Sequence, residues 1–248
     1  MELKEHLKEY LSRGRYLRDI REFHPSEISS NCDRKLFYIK TIPTEYSPEL
    51  LKIFEEGHFI HNFMEKFLEW LERKGVIELI SVEKSRVFSF FGKEFFIDGT
   101  HDAIVRELDS GKIYIYDFKS IKALKYYDKN NNLKDVPLPK PEHLKQINLY
   151  MFAHRIYNGK LIYIDRLSFF KKYATKDINI KEVEVVYDEN LVLDKLLQIE
   201  RVFQHLKERK LPKKIDEKME HWECRYCQFK EEWCKKNKNP FNFKNLKL

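Results

Sequence analysis

Residues 95–120, FFIDGTHDAIVRELDSGKIYIYDFKS, constrain the fold most, because they predict two β-strands joined by a tight turn. Apolar and β-branched residues fill both halves, and Asp109-Ser110-Gly111 between them is a turn signal. Side chains two positions apart on a strand point the same way, so Asp117 and Lys119 are predicted to share one face.

Acidic residues on both predicted strands indicate a reactive site. Asp102 comes beside Asp117 if the register of the hairpin allows it. Two carboxylates can hold a hard divalent cation that activates water and polarises a phosphate, and Lys119 would stabilise the developing negative charge. The pattern therefore favours metal-assisted phosphodiester hydrolysis. The alternative is a set of solvated charges at a strand end, because most charged residues lie on protein surfaces.

Length and charge narrow the class of protein. A chain of 248 residues can form one domain, or one domain with a lobe. The net charge of +7 favours a polyanion such as nucleic acid as partner. Neither an apolar run of membrane-spanning length nor a signal-peptide core is found, so we expect an intracellular, cytoplasmic protein without a membrane span.

Four cysteines indicate a metal centre. Cys224, Cys227 and Cys234 form a C-x2-C-x6-C motif, and Cys32 lies far upstream. In a reducing compartment such a set predicts metal binding rather than disulfides. A [4Fe–4S] cluster needs four thiolates and is favoured, while a zinc site stays open. Both chain ends must fold back together for the four to meet.

Helices are predicted in the first half of the chain. A basic helix covers residues 1–22, and Ser26 is expected to cap a helix over 27–39. A long amphipathic helix over 48–74 carries Gly57 and His61 on one face, and a close approach of backbone to another element would explain a glycine within it.

Further segments complete the prediction as far as residue 157. Residues 76–91 are expected to form two strands. Residues 121–142 are rich in lysine, asparagine and proline, which predicts a flexible loop that serves as a lid or as a simple connector. A helix over 141–157, with Gly159 after its end, carries Gln146 and Tyr150 four residues apart.

The last part of the chain predicts two strands, over 160–170 and 178–187, and a helix over 189–210. The fold class is therefore α/β, with a mixed central sheet flanked by helices. We expect a helical segment over 1–47, a core over 48–210 and a cysteine motif over 211–248. The core-facing residues expected on the last helix are Leu193, Leu196, Leu197, Val202 and Leu206.

Six motifs in order carry a family resemblance. They are SEISSNCDRKLFY around Cys32, G-x-x-x-H ending at His61, G-x-x-D ending at Asp102, D-x-K at 117–119, Q-x-x-x-Y at 146–150 and CRYCQFKEEWC at 224–234. The chain thereby resembles the RecB-like branch of the PD-(D/E)XK nucleases. Within that branch it is similar to the iron–sulfur exonucleases that are CRISPR-associated and act in spacer acquisition, and to their viral relatives.

The resemblance implies a role for each residue. The Mn2+ or Mg2+ ligands would be His61, Asp102, Asp117 and the Phe118 carbonyl. Lys119 would position or deprotonate the attacking water, or neutralise the phosphate. Gln146 and Tyr150 would orient the substrate or Lys119. The [4Fe–4S] ligands would be Cys32, Cys224, Cys227 and Cys234.

The function expected is that of a metal-dependent DNA exonuclease that prefers single-stranded ends. The setting would be CRISPR spacer acquisition in antiviral defence, or viral or host recombination and repair. No G-x-x-x-x-G-K-[ST] motif is present, so a helicase partner would be a separate chain. The alternatives are a non-catalytic DNA-binding subunit for a partner integrase or helicase, and a zinc-stapled RNA-binding protein.

Overall fold

A computed structural model describes residues 3, 5, 6, 19–43, 48–89, 94–170 and 178–242. The helix predicted over residues 1–22 lies mostly outside the described residues. The chain divides into two compact units. The first unit comprises Met1–Ile53, Val87–Asp98 and Leu193–Leu248, and the second comprises Phe54–Arg86 and Gly99–Val192. The division at residues 47 and 210 stays a prediction.

A mixed sheet forms the centre of the second unit, as the sequence predicts. Its strands are β2 (Ile77–Ser89), β3 (Phe96–Glu107), β4 (Ile113–Ile121), β7 (Asn158–Asp165) and β8 (Ile180–Val186). They lie in the order β2-β3-β4-β7-β8, with β4 and β7 parallel and the pairs β3–β4 and β7–β8 antiparallel.

Helices cover both faces of this sheet because the alternation of strand side chains gives it two apolar faces. Tyr116 and Phe118 of β4 point into one core, which contains Ile60, Met64 and Leu68 of helix α3 (Pro48–Arg73). Ile115 points into the other, which contains Ile147 and Met151 of helix α4 (Pro141–His154). The predicted division of faces along β4 is confirmed.

Helix α3 matches its predicted span to within one residue. Gly75 follows it with a φ of +69°, a conformation that favours glycine. Its apolar residues alternate with charged ones. No helix among the described residues is both long enough and apolar enough to cross a membrane.

The flexible loop predicted over residues 121–142 contains regular structure, and its role as a lid or as a connector stays a prediction. Strands β5 (Lys125–Tyr127) and β6 (Leu133–Asp135) pair there as a small antiparallel sheet. The turn between them is closed by Asp128, whose Oδ1 accepts hydrogen bonds from the N–H groups of Asn130 and Asn132 at 2.9 Å. Side chain-to-backbone bonds of this kind make the Asn-rich run a turn.

Two other predicted strands differ from the structure. Residues 76–91 contain the single strand β2, which ends at Ser89; Phe91 and Gly92 lie outside the described residues. Strand β7 ends at Asp165, before helix α5 (Arg166–Phe170). Asp165 Oδ1 accepts a hydrogen bond from Ser168 N at 3.0 Å, so a capping carboxylate turns the strand into the helix.

Helix α4 ends earlier than predicted. Arg155 closes it in the left-handed conformation, with a φ of 56°, and the chain then enters β7. Gly159 is therefore a strand residue rather than a helix terminator. A Cβ built on it would lie 2.7 Å from Ile147 Cδ1 and 3.2 Å from Met151 Sδ, so glycine is needed for close helix–sheet packing.

The first unit begins with strand β1 (Glu22–Phe23), which pairs in parallel with the start of β3. Helix α1 (Pro25–Ile28) and helix α2 (Asp33–Thr41) follow. The single helix predicted over 27–39 is thus two helices. Ser26 is not its cap; Cys32 caps α2, with its Sγ accepting from Lys35 N at 3.4 Å. The last elements among the described residues of this unit are helix α7 (Trp222–Arg225), a π-helical turn (Lys230–Cys234) and a 3-10 turn (Pro240–Asn242).

Helix α6 (Glu189–Lys207) does not bury all the leucines expected. Leu193 and Leu197 are 49% and 56% exposed, whereas Val202 and Leu206 are buried. The face turned inward also carries Lys195 and Gln198, which are 1% and 2% exposed. Polar side chains with interior hydrogen bonds therefore take positions that an apolar pattern assigns to leucine.

Gly57 lies within helix α3, and Gly159 of strand β7 faces helix α4. We predict that substitution by alanine has opposite effects on stability at these two positions. A Cβ at Gly57 would meet only Ser120 Oγ, at 3.6 Å, so no close approach requires glycine there. Gly57→Ala should raise the free energy of unfolding by about 1 kcal/mol through helix propensity. Gly159→Ala should lower it by about 1–3 kcal/mol through overpacking. Urea denaturation of both variants measures this, and equal effects would contradict the packing described.

Candidate active site and cysteine centre

The carboxyl end of β4 carries a buried ion pair. Asp117 is 2% exposed and continues the line of Ile115 into the face covered by helix α4. Lys119, two residues on, places its Nζ 2.9 Å from Asp117 Oδ1 and 2.7 Å from Oδ2. The strand period therefore sets both residues on one face, as predicted, and their charges meet there.

Asp102 and His61 lie beside this pair. The register of β3 on β4 pairs Ala103 with Tyr116, and its continuation places Asp102 next to Asp117. Asp102 Oδ2 accepts a hydrogen bond from Phe118 N at 2.5 Å, and its Oδ1 lies 3.3 Å from Nδ1 of His61 on α3. His58, three residues before His61 on the same helix, is exposed.

Helix α4 supplies the third side of the site. Lys119 Nζ donates to Gln146 Oε1 at 3.0 Å, and Gln146 Nε2 donates to Tyr150 Oη at 3.1 Å. Residues four apart on a helix are neighbours, so Gln146 and Tyr150 present one face to the strand end. The ammonium group of Lys119 is thereby held between a carboxylate and an amide.

The two carboxylates differ in their electrostatic state. Burial raises the pKa of Asp117 to about 6; the nearby charge of Asp102 adds to this, and Lys119 opposes it. Burial would also raise the pKa of Asp102, but hydrogen bonding and charge from His61, with help from Lys119, lower it below its ordinary value. One acid is thus held ionised while the other takes up a proton more readily.

A divalent ion suits the donor atoms at this site. Asp117 Oδ2 is buried and makes no hydrogen bond of acceptable geometry within the described residues. An imidazole with two carboxylates is a donor set for Mn2+ and, less well, for Mg2+. The ligand atoms of His61, Asp102 and Asp117 do not all lie within 4.8 Å of one another. Phe118 contributes its N–H to Asp102, and a role for its carbonyl stays a prediction.

His143 is a residue of this site that sequence reasoning missed. It precedes Gln146 by one turn of α4, and its Nδ1 lies 3.0 Å from Tyr163 Oη. Burial lowers its pKa to about 3, with further lowering by the charges of Lys119 and Lys140. The imidazole is therefore neutral near pH 7. The sequence feature that could have identified it is its position three residues before Gln146, which places both residues on one face of the helix.

The four cysteines meet in the first unit, and none forms a disulfide. All of them line one cavity, together with Tyr38. The ring of Tyr38 lies 5.4 Å from that of Phe229 and 6.1 Å from that of Trp233. Both ends of the chain therefore fold back together, as the sequence requires for a shared centre.

Burial and the charges of neighbouring cysteines raise the pKa values of three of these thiols. Burial raises the pKa of Cys32 to about 11, and the charge of Cys227 raises it further. Burial also raises the pKa values of Cys224 and Cys227, and the charge of Cys234 raises both further. Among the described residues, no three of these sulfurs all lie within 4.8 Å of one another. Sulfurs around one tetrahedral zinc are closer, at about 3.8 Å for Zn–S bonds of about 2.3 Å.

A buried polar clasp holds the two cysteine segments together, and sequence reasoning missed it. Glu223, which precedes Cys224, accepts hydrogen bonds from Ser30 Oγ and, at 3.0 Å, from Asn31 N. Lys195 Nζ donates to Ser30 O at 3.3 Å and to Asn31 Oδ1 at 3.1 Å. Charge-assisted bonds of this kind stabilise the approach of Cys32 to the C-terminal cysteines.

Comparisons with known proteins agree with this architecture. The sequence profile of the PD-(D/E)XK nuclease superfamily matches residues 30–235. No curated protein matches the chain in sequence. The crystal structure of SSO0001 is similar, with a TM-score of 0.50 and 23% identity over 92% of this chain and 91% of that one, which shows a shared fold.

Two further solved structures are more distant. The alkaline exonuclease LHK-Exo from Laribacter hongkongensis gives a TM-score of 0.45 and 11% identity, over 76% of this chain and 89% of that one. A phage-related exonuclease from Haemophilus somnus 129PT gives 0.36 and 15%, over 62% of this chain and 70% of that one.

The raised pKa of Asp117 predicts a pH-dependent stability in the absence of metal. The folded state holds this proton more tightly than the unfolded chain, whose pKa is near 3.8. Stability should therefore fall as pH rises from about 4 to about 6, by up to about 3 kcal/mol, relative to Asp117→Asn. Urea denaturation in EDTA measures the difference. Asp109→Asn, in the exposed turn, should follow the wild type, and parallel curves for Asp117→Asn and wild type would contradict the shift.

Proposed function

The chain belongs to the PD-(D/E)XK nuclease superfamily, and on that premise we propose that it is a metal-dependent DNA exonuclease that prefers single-stranded ends. The observation that carries the proposal is the convergence of Asp102, Asp117 and Lys119 at the end of β4. These are the residues that metal-assisted hydrolysis of a phosphodiester needs: two acids and a cation on adjacent strands.

His61, Asp102 and Asp117 would hold the divalent ion, with the Phe118 carbonyl as a fourth donor. The bound ion supplies Lewis acidity toward phosphate and lowers the pKa of water. The hydrogen bond from Phe118 N orients Asp102, and before metal binds the charge of protonated His61 keeps that carboxylate ionised; His61 would release its proton when it binds the ion. The low pKa of Asp102 thus serves to present a charged ligand at neutral pH.

Lys119 would position the attacking water or neutralise the phosphate. Its Nζ is held by Asp117 and Gln146, which leaves the ammonium group little rotational freedom. Tyr150 fixes the amide of Gln146, and burial raises the pKa of this phenol, so it stays a neutral hydrogen-bonding group. Both residues of α4 would therefore act through the orientation of Lys119.

DNA as substrate is supported by charge. The net charge is +7, and the run 207–214 of the first unit contains five lysines and arginines. Lys210, Lys213 and Lys214 line one groove together with Arg201 and His205. Cationic grooves of this kind follow a phosphate backbone without reading its sequence, which suits an enzyme that degrades single strands.

A [4Fe–4S] cluster is proposed for the four cysteines. All four cysteines line one cavity, and a [4Fe–4S] cluster takes four thiolate ligands. A bound cationic centre would also relieve the repulsion that raises the pKa of Cys32 and Cys227. The cluster would join both chain ends of the first unit.

The resemblance to the CRISPR-associated exonucleases supports a place in spacer acquisition, with integrase proteins or a separate helicase as partners. Viral or host recombination and repair are the other settings for the same chemistry. All three present DNA ends as substrate. A helicase that takes part in any of them would be a separate chain, since this chain contains no P-loop motif.

A second candidate is a non-catalytic DNA-binding subunit. The observation that favours it is the spread of the ligand atoms of His61, Asp102 and Asp117 beyond 4.8 Å. The buried pairing of Asp117 with Lys119 would then be structural. Cleavage assays separate the two candidates because binding alone leaves the substrate intact.

Asp117→Ala should abolish Mn2+-dependent degradation of end-labelled single-stranded DNA. Lys119→Ala should reduce the rate by about 100- to 1000-fold, the usual cost of removing one charge-stabilising group. Time courses with label at either end, with and without Mn2+, measure both effects and give the polarity.

Asp109→Ala is the matched control, since Asp109 lies in the exposed turn of the same hairpin. It should degrade DNA at the wild-type rate. Wild-type protein that binds DNA yet cuts none in Mn2+ or Mg2+ would overturn the proposal and favour the binding subunit.

Anaerobic purification should yield brown protein with about four iron and four sulfide per chain. Cys227→Ser should lose the colour and lower the thermal unfolding midpoint, because the two cysteine segments lose their shared centre. Elemental analysis and visible spectra measure this. A colourless preparation that contains zinc would contradict the cluster and favour the zinc-stapled alternative.

A further inference from the structure

Another set of potential metal ligands lies in the first unit. Among the residues the structure describes, Glu22, His24 and Asp98 form a group of three whose ligand atoms all lie within 4.8 Å of one another. His24 Nε2 is 3.3 Å from Glu22 Oε1. No residue of this group belongs to the cysteine centre or to the candidate active site.

The pairing of β1 with β3 explains the cluster. Glu22 and His24 are two residues apart on an extended segment, so their side chains point the same way. Glu22 pairs with Phe96 and Phe23 with Ile97, and the continuation of this parallel register brings His24 beside Asp98. Phe23 and Ile97 are fully buried, which leaves the three ligands together on the opposite side.

Partial burial makes this group unlike a solvated acidic patch. The side chains of His24 and Glu22 are only 23% and 22% exposed. Asp98 Oδ1 is buried and makes no hydrogen bond within the described residues. A buried carboxylate oxygen without a donor costs free energy, and a bound cation removes that cost.

We propose that Glu22, His24 and Asp98 bind a divalent transition-metal ion, with Zn2+ the best match to their donors. One imidazole nitrogen and two carboxylate oxygens are donors found at catalytic zinc sites, whereas Mg2+ and Ca2+ are usually bound by oxygen ligands alone. Three protein ligands leave a position for water. The ion ties strand β1, which is only two residues long, to β3. This site does not depend on the nuclease proposal.

The site is tested by metal content. Wild type, His24→Gln, Asp98→Asn and Asp19→Asn are dialysed against Zn2+, washed, and analysed for zinc per chain, with circular dichroism as a check of folding. His24→Gln and Asp98→Asn should each hold one zinc fewer than wild type. Asp19→Asn, which removes a nearby acid that bonds Arg21, should hold the wild-type amount. Equal zinc in all four proteins overturns the site.

An Asp117→Ala background separates this site from the candidate active site. The loss of one zinc on adding His24→Gln should be the same in that background, because Asp117 belongs to the second unit. A loss that disappears there would assign the ion to the active site and overturn the proposal.

A second measurement needs no variant. Diethyl pyrocarbonate modifies accessible imidazoles, and peptide mass spectrometry quantifies each histidine. Zn2+ should protect His24 in the wild-type protein, while Mg2+ should not, and exposed His58 should react at the same rate with or without Zn2+. Unchanged modification of His24 in saturating Zn2+ overturns the proposal.

Discussion

The antiparallel register between β3 and β4 is the constraint on which the candidate active site depends. It pairs Ala103 with Tyr116, and so brings Asp102 beside Asp117 at the end of a sheet whose two faces are covered. A slip of one residue would turn every side chain of β4 to the other face. Asp117, buried at 2% exposure, requires a nearby cation, and Lys119 provides it from the same strand. Helix α4 then fixes that lysine through Gln146, so helix and strand define the site jointly.

The cysteine centre of the first unit depends on a different kind of interaction. Its four cysteines form no disulfide, so they do not hold the chain ends together by a covalent bond. Hydrogen bonds hold these ends together instead: Glu223 accepts from Ser30 and Asn31, and Lys195 donates to the same two residues. Each member of this network is satisfied by the others, and removal of one would leave a buried charge without a partner. Cys32, at the N-cap of α2, is positioned by the loop that carries these bonds.

Sequence patterns predicted the elements that repeat one physical preference over many residues. The hairpin around Asp109, the long helix ending near Gly75 and the alternating strand β8 were confirmed for that reason. Predictions were wrong where the hydrogen bonds of a single side chain decide the local structure. Asp165 caps a helix and so ends β7 early, and Asp128 closes a turn within the segment predicted as a flexible loop. The inward face of α6 was also assigned wrongly, because Lys195 finds oxygen partners that no local pattern reveals.

The sequence by itself determined which residues are candidates for the site, because D-x-K places two side chains on one face of a strand, and G-x-x-x-H and Q-x-x-x-Y each place two residues on one face of a helix. It also determined that four cysteines were available for one centre. Only the tertiary structure decided how these faces meet. His143 joined the candidate active site, Glu223 joined the cysteine segments, and Glu22 and His24 came together with Asp98 from a distant part of the chain. Each of these contacts depends on register and burial, which follow from packing over the whole unit rather than from any short stretch.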